Sequence, residues 1–205
     1  MARPRSQDRR NAIVSAAARV IASQGTGAAT AAIAKEAGVS NGSLFVYFDT
    51  KAALLNELYL ALKAEMTAAA TAGLDTGGEL REQVRHMWTQ WLRWATDNPG
   101  KRRALAQLEV DDDITAGSRQ TAHAAFSGIA ALLDRSRAGG PMRDAPLGFV
   151  LALMTAIAEA TIDAVIREPA EAEARSSAGF DAVWRVLGGP SVPGRYLTST
   201  TAEGN

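Results

Sequence analysis

The stretch Ala31–Lys51 reads AAIAKEAGVSNGSLFVYFDTK, and its interpretation decides the fold. Its spacing predicts a short helix over Ala29–Ala37, a tight turn at Gly38 and a second short helix over Asn41–Phe48. Ile33, Ala34 and Ala37 give the first helix a small inward face, and Leu44 and Phe48, four apart, give the second one. Val39 is placed to plug the corner, and Ser40 is a good N-cap for the helix that follows. Asn41, Ser43, Val46 and Tyr47 are left on other faces, with Phe45 at the margin. Two such helices suit double-stranded DNA: the second enters the major groove while the first crosses the backbone.

In that groove Asn41 can pair bidentately with an adenine, and Ser43 can bond a base or a phosphate. Gly42 lets the helix N-terminus come close to the DNA backbone, and a helix N-terminus favours anions. Lys51, at the start of the next helix, pairs an ammonium with free amides to hold a phosphate. Any small helical hairpin with a glycine turn shares this spacing, so the spacing alone leaves both readings open.

Outward from this stretch the chain is helical throughout. Residues 1–6 read as a loose arginine-bearing arm, followed by helix 1 over Gln7–Ser23 with Ile13, Ala17, Val20 and Ile21 on its buried face. Helix 4 starts near Lys51, capped by Asp49 or Thr50, and carries Leu54, Leu58, Leu62 and Met66 on its stripe. Helix 5 runs to about Ala95, helix 6 covers Lys101–Glu109, helix 7 Ala116–Arg135, helix 8 Pro146–Arg167 and helix 9 Glu171–Leu187. No strand pattern and no internal repeat stands out. The expected class is therefore all-α, with about nine helices. A helix-turn-helix head over 1–51 is joined by a long fourth helix to a helical regulatory and dimerisation domain over 52–190. A flexible tail occupies 191–205.

Composition is that of an ordinary globular chain: of 205 residues, 47% are hydrophobic and 21% charged. The net charge of zero divides unevenly. Residues 1–51 hold seven basic against three acidic residues, a net +4, and the rest carries −4. A polyanion-facing head on an acidic body fits this division, as does scattered solvated charge. With no cysteine there is no disulfide framework and no thiol chemistry. No uninterrupted apolar run approaches the roughly 20 residues of a membrane span, so no membrane partner is expected, and the cytoplasm is the expected location.

The segment Ile33–Leu55 closely resembles the DNA-binding signature of the tetracycline-repressor (TetR) family. Ile33, Ala34, Ala37, Gly38, Val39, Ser40, Gly42, Leu44, Tyr47, Phe48, Lys51 and Leu54 all stand where that signature places them, and Ser43 replaces a threonine. The resemblance implies DNA contacts from Thr30, Ser40, Asn41, Gly42, Ser43, Phe45, Val46, Tyr47 and Lys51. Phe45 stands where a phosphate-bonding tyrosine is usual. Ala29 stands where a threonine often opens helix 2, leaving Thr30 or Thr26 to supply the cap. Ala31 and Ala32 leave helix 2 poor in base-reading groups, and Val46 offers a methyl contact to thymine. The N-terminal arginines are further candidates for minor-groove or phosphate contact.

The resemblance also implies a homodimer on a near-palindromic operator, with the last two long helices pairing across the two-fold axis. Ala156, Ala160 and Ala164 on helix 8, and Phe180 and Trp184 on helix 9, are the candidate dimer residues. The apolar character of helix 8 equally fits a central core helix. Trp88, Trp91 and Trp94 sit at helical spacing and read either as core packing or as the aromatic wall of an effector pocket. The pocket reading draws in His86, Trp88, Gln90, Trp91, Glu109, His123, Phe126 and Met154 around an unknown small molecule.

No enzyme is expected. Asp111, Asp112 and Asp113 point different ways in a turn, only two histidines exist, and no phosphate loop, nucleophilic triad or zinc motif appears. No metal and no cofactor is implied. The sequence therefore reads as a DNA-binding transcriptional regulator, a repressor released by a small apolar or amphipathic effector. The alternative is a helical ligand-binding or interaction module with little specific DNA reading.

Overall fold

In a computed structural model, which describes residues 3–188, every regular element is a helix. The order is α1 (Arg3–Gln24), α2 (Thr30–Glu36), α3 (Asn41–Tyr47), α4 (Lys51–Thr71), α5 (Leu80–Asp97), α6 (Pro99–Glu109), α7 (Ala116–Ala125), α8 (Ser127–Arg137), α9 (Leu147–Arg167) and α10 (Ala172–Leu187). A single 3-10 turn, Pro169–Glu171, joins the last two. The expected tail over 191–205 lies outside the described residues.

α1 packs on α2, α4 and α6 through Ile13, Ala16, Ala17, Val20 and Ile21, all buried and spaced along one face. It begins at Arg3, four residues before the expected start, so residues 3–6 are helical rather than a loose arm. The turn between α2 and α3 needs Gly38, whose φ of 68° lies in the left-handed region that costs a side-chain-bearing residue energy. Ser40 caps α3, its Oγ accepting the Ser43 N–H at 3.0 Å, and Thr50 caps α4 the same way from Ala53 N–H. α2 differs from expectation. Its N-cap position is Ala29, and neither Thr26 nor Thr30 caps it.

α5 is the centre of the body, in contact with α4, α6, α8, α9 and α10. α10 lies against α9 at a point where neither helix can carry more bulk. A Cβ on Gly179 would stand 2.4 Å from Thr161 Oγ1 and 2.8 Å from Trp88 Cζ2. The expected single helix over Ala116–Arg135 is two helices. Phe126 breaks it with φ −87° and ψ 0°, and Ser127 and Gly128, weak helix formers, start the second piece. Arg137 holds the α8–α9 loop, donating to the carbonyl of Met142 at 2.8 Å and pairing with Asp134 at 2.7 Å. Beyond it Gly140 meets Gly188, the left-handed C-cap of α10 at φ 103°. A Cβ on either glycine would fall within 2.4 Å of the other's Cα.

α9 is long and apolar enough to cross a membrane by length and composition, and only 28% of its most apolar stretch is buried. It nonetheless carries Glu159 and Asp163, which pair with Arg102 of α6, and it packs on α10 and α5. An ion-paired helix anchored this way is a body helix with one side uncovered.

Candidate nucleic-acid interface and ligand cavity

The outer side of α3 is set by what its inner side buries. Leu44 and Phe48 fill the head core at 0% and 2% exposure, which turns Asn41, Gly42, Phe45 and Val46 outward. Val46 is 80% exposed and Phe45 41%, an uncommon display for apolar side chains on a helix this small. Ser40 and Ser43 are hydrogen-bonded to each other through their hydroxyls at 2.8 Å, so part of their capacity serves the cap. Tyr47, Lys51 and Thr30 are half-buried at the rim of the same head.

The basic residues near this surface are fewer than the charge count suggests. Arg10 is turned inward. Its guanidinium pairs with the Glu57 carboxylate, donates to the Tyr47 carbonyl at 2.7 Å and lies 4.4 Å from the Phe48 ring centroid. It clamps α1 to the end of α3 and to α4, which removes it from the candidate DNA contacts. Arg19 is held by Glu36 at 2.6 Å across the α1–α2 contact. Arg9 remains exposed, and so does Asn41 at the start of α3.

In the body, α4 to α10 line a cavity of about 660 Å³ that is open to solvent on one side. Of the expected pocket residues, Trp88, Trp91, His123, Phe126 and Met154 line it, with Glu109. His86 and Gln90 do not. They face a separate hollow with Gly73 and Gln83, and His86 Nε2 is 2.8 Å from the Ala72 carbonyl. The tryptophans are wall and core at once. Trp88 donates its indole N–H to the Ser176 carbonyl at 3.0 Å, and Trp94 donates to Glu65 at 3.0 Å. Trp88 and Trp91 meet edge to face at 6.2 Å.

Beyond Glu109, the charged lining has no counterpart among the expected pocket residues. Arg102 of α6 pairs with Glu159 and with Asp163 at 2.6 Å, the latter just outside the cavity. Burial alone would lower the Arg102 guanidinium, but the two carboxylates outweigh it and hold the charge more firmly than usual. At the other end of α6, Glu109 pairs with Lys63 and approaches Arg119 at 3.8 Å and the Tyr59 hydroxyl at 3.5 Å. Burial, then the Glu109 charge, pushes the Tyr59 hydroxyl above its usual value, so it stays a proton donor. The legible signal was Glu159 and Asp163 themselves, two acids four apart on an otherwise apolar helix that demand a cation. Among the described residues, no three metal-ligating side chains converge.

Of the candidate dimer residues, Ala156 and Ala160 are exposed and Ala164 is half-buried, alongside Phe149 at 53% and Ile166 at 46% exposure. Phe180 is a core residue at 1% exposure, stacked on the half-buried Trp184 at 6.3 Å. It supports that side from behind and is not available on the surface.

A capped, outward-facing second helix on a three-helix head, carried by a long α4 into a helical body with a cavity, defines a DNA-binding helix-turn-helix regulator. Residues 13–58 match the family of bacterial regulatory proteins described as the tetR family. The chain is similar to a crystal structure described as a TetR-family transcription regulator from Shewanella sp. PV-4, with 29% identity and a TM-score of 0.77 over 86% of this chain and 96% of that one. It is similar in fold to one from Marinobacter aquaeolei VT8, at 21% identity and TM-score 0.75 over 90% and 97% of the two chains. A third, the TetR-like regulator LfrR from Mycobacterium smegmatis in complex with proflavine, aligns at 19% identity and TM-score 0.63 over 85% and 94%. Residues 13–58 thus match the tetR-family model, and the chain shares the fold of TetR-family transcription regulators.

Proposed function

We propose that this protein is a homodimeric, cytoplasmic repressor whose two heads, residues 1–51, read a near-palindromic operator. Its body, residues 52–190, releases DNA when a small apolar or amphipathic effector occupies the 660 Å³ cavity. The carrying observation is the outer side of α3. Asn41, Phe45 and Val46 stand exposed on a helix whose opposite side is locked by Leu44 and Phe48. Asn41 supplies the base-specific hydrogen bonds and Val46 the thymine-methyl contact, while Ser43, Tyr47 and Lys51 hold the sugar–phosphate backbone.

The uncovered side of α9 supports the dimer. Phe149, Ala156, Ala160 and Ile166 leave an apolar strip beside α10, and a second copy of the same strip is its simplest cover. A structural relative in complex with proflavine supports the small-molecule reading of the cavity. The test is selection of bound sequences from a random DNA pool with full-length protein. The expected result is one enriched motif with two-fold symmetry and half-sites about one helical turn apart. Recovery of no motif, or of an asymmetric one bound by monomer in sedimentation, refutes the proposal.

A further inference from the structure

The corner of the cavity where α4, α6 and α7 meet carries two cations against one carboxylate. Lys63 and Arg119 both reach toward Glu109, and Arg119 also donates to the main-chain carbonyls of Glu109 at 2.9 Å and Asp111 at 3.1 Å. Both also sit near the Tyr59 ring, Lys63 Nζ at 5.7 Å and the Arg119 guanidinium carbon at 6.0 Å from its centroid. His123, one turn beyond Arg119 on α7, lines the same cavity at its exposed edge. The opposite end of α6 has no such surplus, because Arg102 is shared between Glu159 and Asp163. Between the two ends the wall is mostly carbon, interrupted by Thr67, Thr155 and the Trp91 indole. Trp88 and Trp94 spend their N–H groups on Ser176 and Glu65, and Met66, Leu105, Phe126 and Leu151 complete the surface.

On the reading of this cavity as the effector site, we infer that its ligand is an amphipathic acid, with one carboxylate head on an apolar body. The Glu109 carboxylate occupies the place that head would take. Three donors converge on it: the Lys63 ammonium, the Tyr59 hydroxyl at 3.5 Å and the Arg119 guanidinium at 3.8 Å. A ligand carboxylate exchanges with Glu109 for the same donors, and the displaced Glu109 carboxylate, 37% exposed, turns to solvent. An apolar body then replaces water against the tryptophan wall, and the cavity volume falls within the range of drug-sized sites. A cationic amphipath finds no free counter-charge, since both lining carboxylates, Glu109 and Glu159, are already paired.

The test uses full-length protein and three probes of equal chain length, decanoate, decylammonium and 1-decanol, each titrated below its aggregation limit. Tryptophan emission reports binding, since Trp88, Trp91 and Trp94 line the cavity. Decanoate is expected to bind at least tenfold more tightly than decylammonium. Lys63→Gln is expected to weaken decanoate about tenfold and leave decanol unchanged. Glu109→Gln removes the competing anion and is expected to tighten decanoate several-fold, a gain that misfolding cannot imitate. Equal or tighter binding of decylammonium overturns the acid assignment while leaving the effector cavity standing. So does a Glu109→Gln variant that weakens decanoate. Binding of none of the three probes overturns both this inference and the effector reading on which it rests.

Discussion

Replacing Gly179 by alanine adds one methyl group at the tightest point between α9 and α10. The new Cβ would lie 2.4 Å from Thr161 Oγ1, 3.0 Å from Thr161 Cγ2 and 2.8 Å from Trp88 Cζ2, against ordinary contacts of roughly 3.5–4.0 Å. Neither neighbour can yield cheaply. Thr161 is held by its hydrogen bond to the Ile157 carbonyl at 2.8 Å, and Trp88 by its bond to the Ser176 carbonyl at 3.0 Å. α10 must therefore move away from α9 and α5 by about an ångström. Overpacking of this kind costs about 1–3 kcal/mol. Glycine-to-alanine in a helix returns up to about 1 kcal/mol. The net loss is about 1–2 kcal/mol, or roughly 2–8 °C in melting temperature for a chain of this size. Thermal unfolding at one fixed protein concentration measures it, because the midpoint of a self-associating chain depends on concentration. Pairing Gly179→Ala with Thr161→Ala, which removes both close Thr161 atoms, should recover part of the loss beyond additivity. A single variant that is as stable as the parent, or more so, refutes the close packing of α9 on α10.

Four other substitutions test three separate parts of the molecule. Burial would raise the Glu65 carboxyl, but the Lys101 ammonium and the Trp94 indole N–H outweigh it and hold it below its ordinary 4.5. Its contribution to stability is thus complete above that value and is lost as pH falls through the lower folded one. Melting of Glu65→Gln against the parent should show a gap at pH 7 that narrows once the pH falls below that ordinary value. Arg10→Met removes the pairing with Glu57 and the bond to the Tyr47 carbonyl, and should destabilise the head by about 1–2 kcal/mol, allowing for solvent screening. Faster amide exchange in α3, with an unchanged salt dependence of DNA binding, is the expected readout. Lys51→Ala should weaken binding on all sequences and lower the salt slope by about 1, whereas Asn41→Ala should relax discrimination between operator variants. Retained discrimination in Asn41→Ala would remove Asn41 from base reading.

The head was legible because its determinants are local. Gly38, Ser40 and the Leu44/Phe48 pair lie within one short stretch, and each acts on residues a few positions away. The break at Phe126 was harder, since a Ser-Gly pair inside an apolar pattern weakens a helix without ending it. Tertiary packing around the cavity decides the matter there. His86 and Gln90 were misplaced by sequence proximity. Each lies two residues from Trp88, about 200° round the helix, and so on the far side from the tryptophan wall. The Arg102–Glu159 and Lys63–Glu109 pairs were invisible because each joins helices far apart in sequence, and no local pattern says which cation meets which acid. Arg10 was counted toward the DNA for the same reason, its partner Glu57 lying beyond the head's own signature.

The contact between Gly140 and Gly188 carries a consequence for how such a chain can diverge. Each position is closed by the main chain of the other, so a side chain at either cannot be accommodated by a rotamer change in a neighbour. Compensation, the usual route by which one substitution permits another, is shut at this pair. Reversion or rebuilding of the whole α8–α9 loop is the remaining path. Among descendants of this sequence the two glycines should persist together or disappear together, and a library randomised at both positions should return glycine at each.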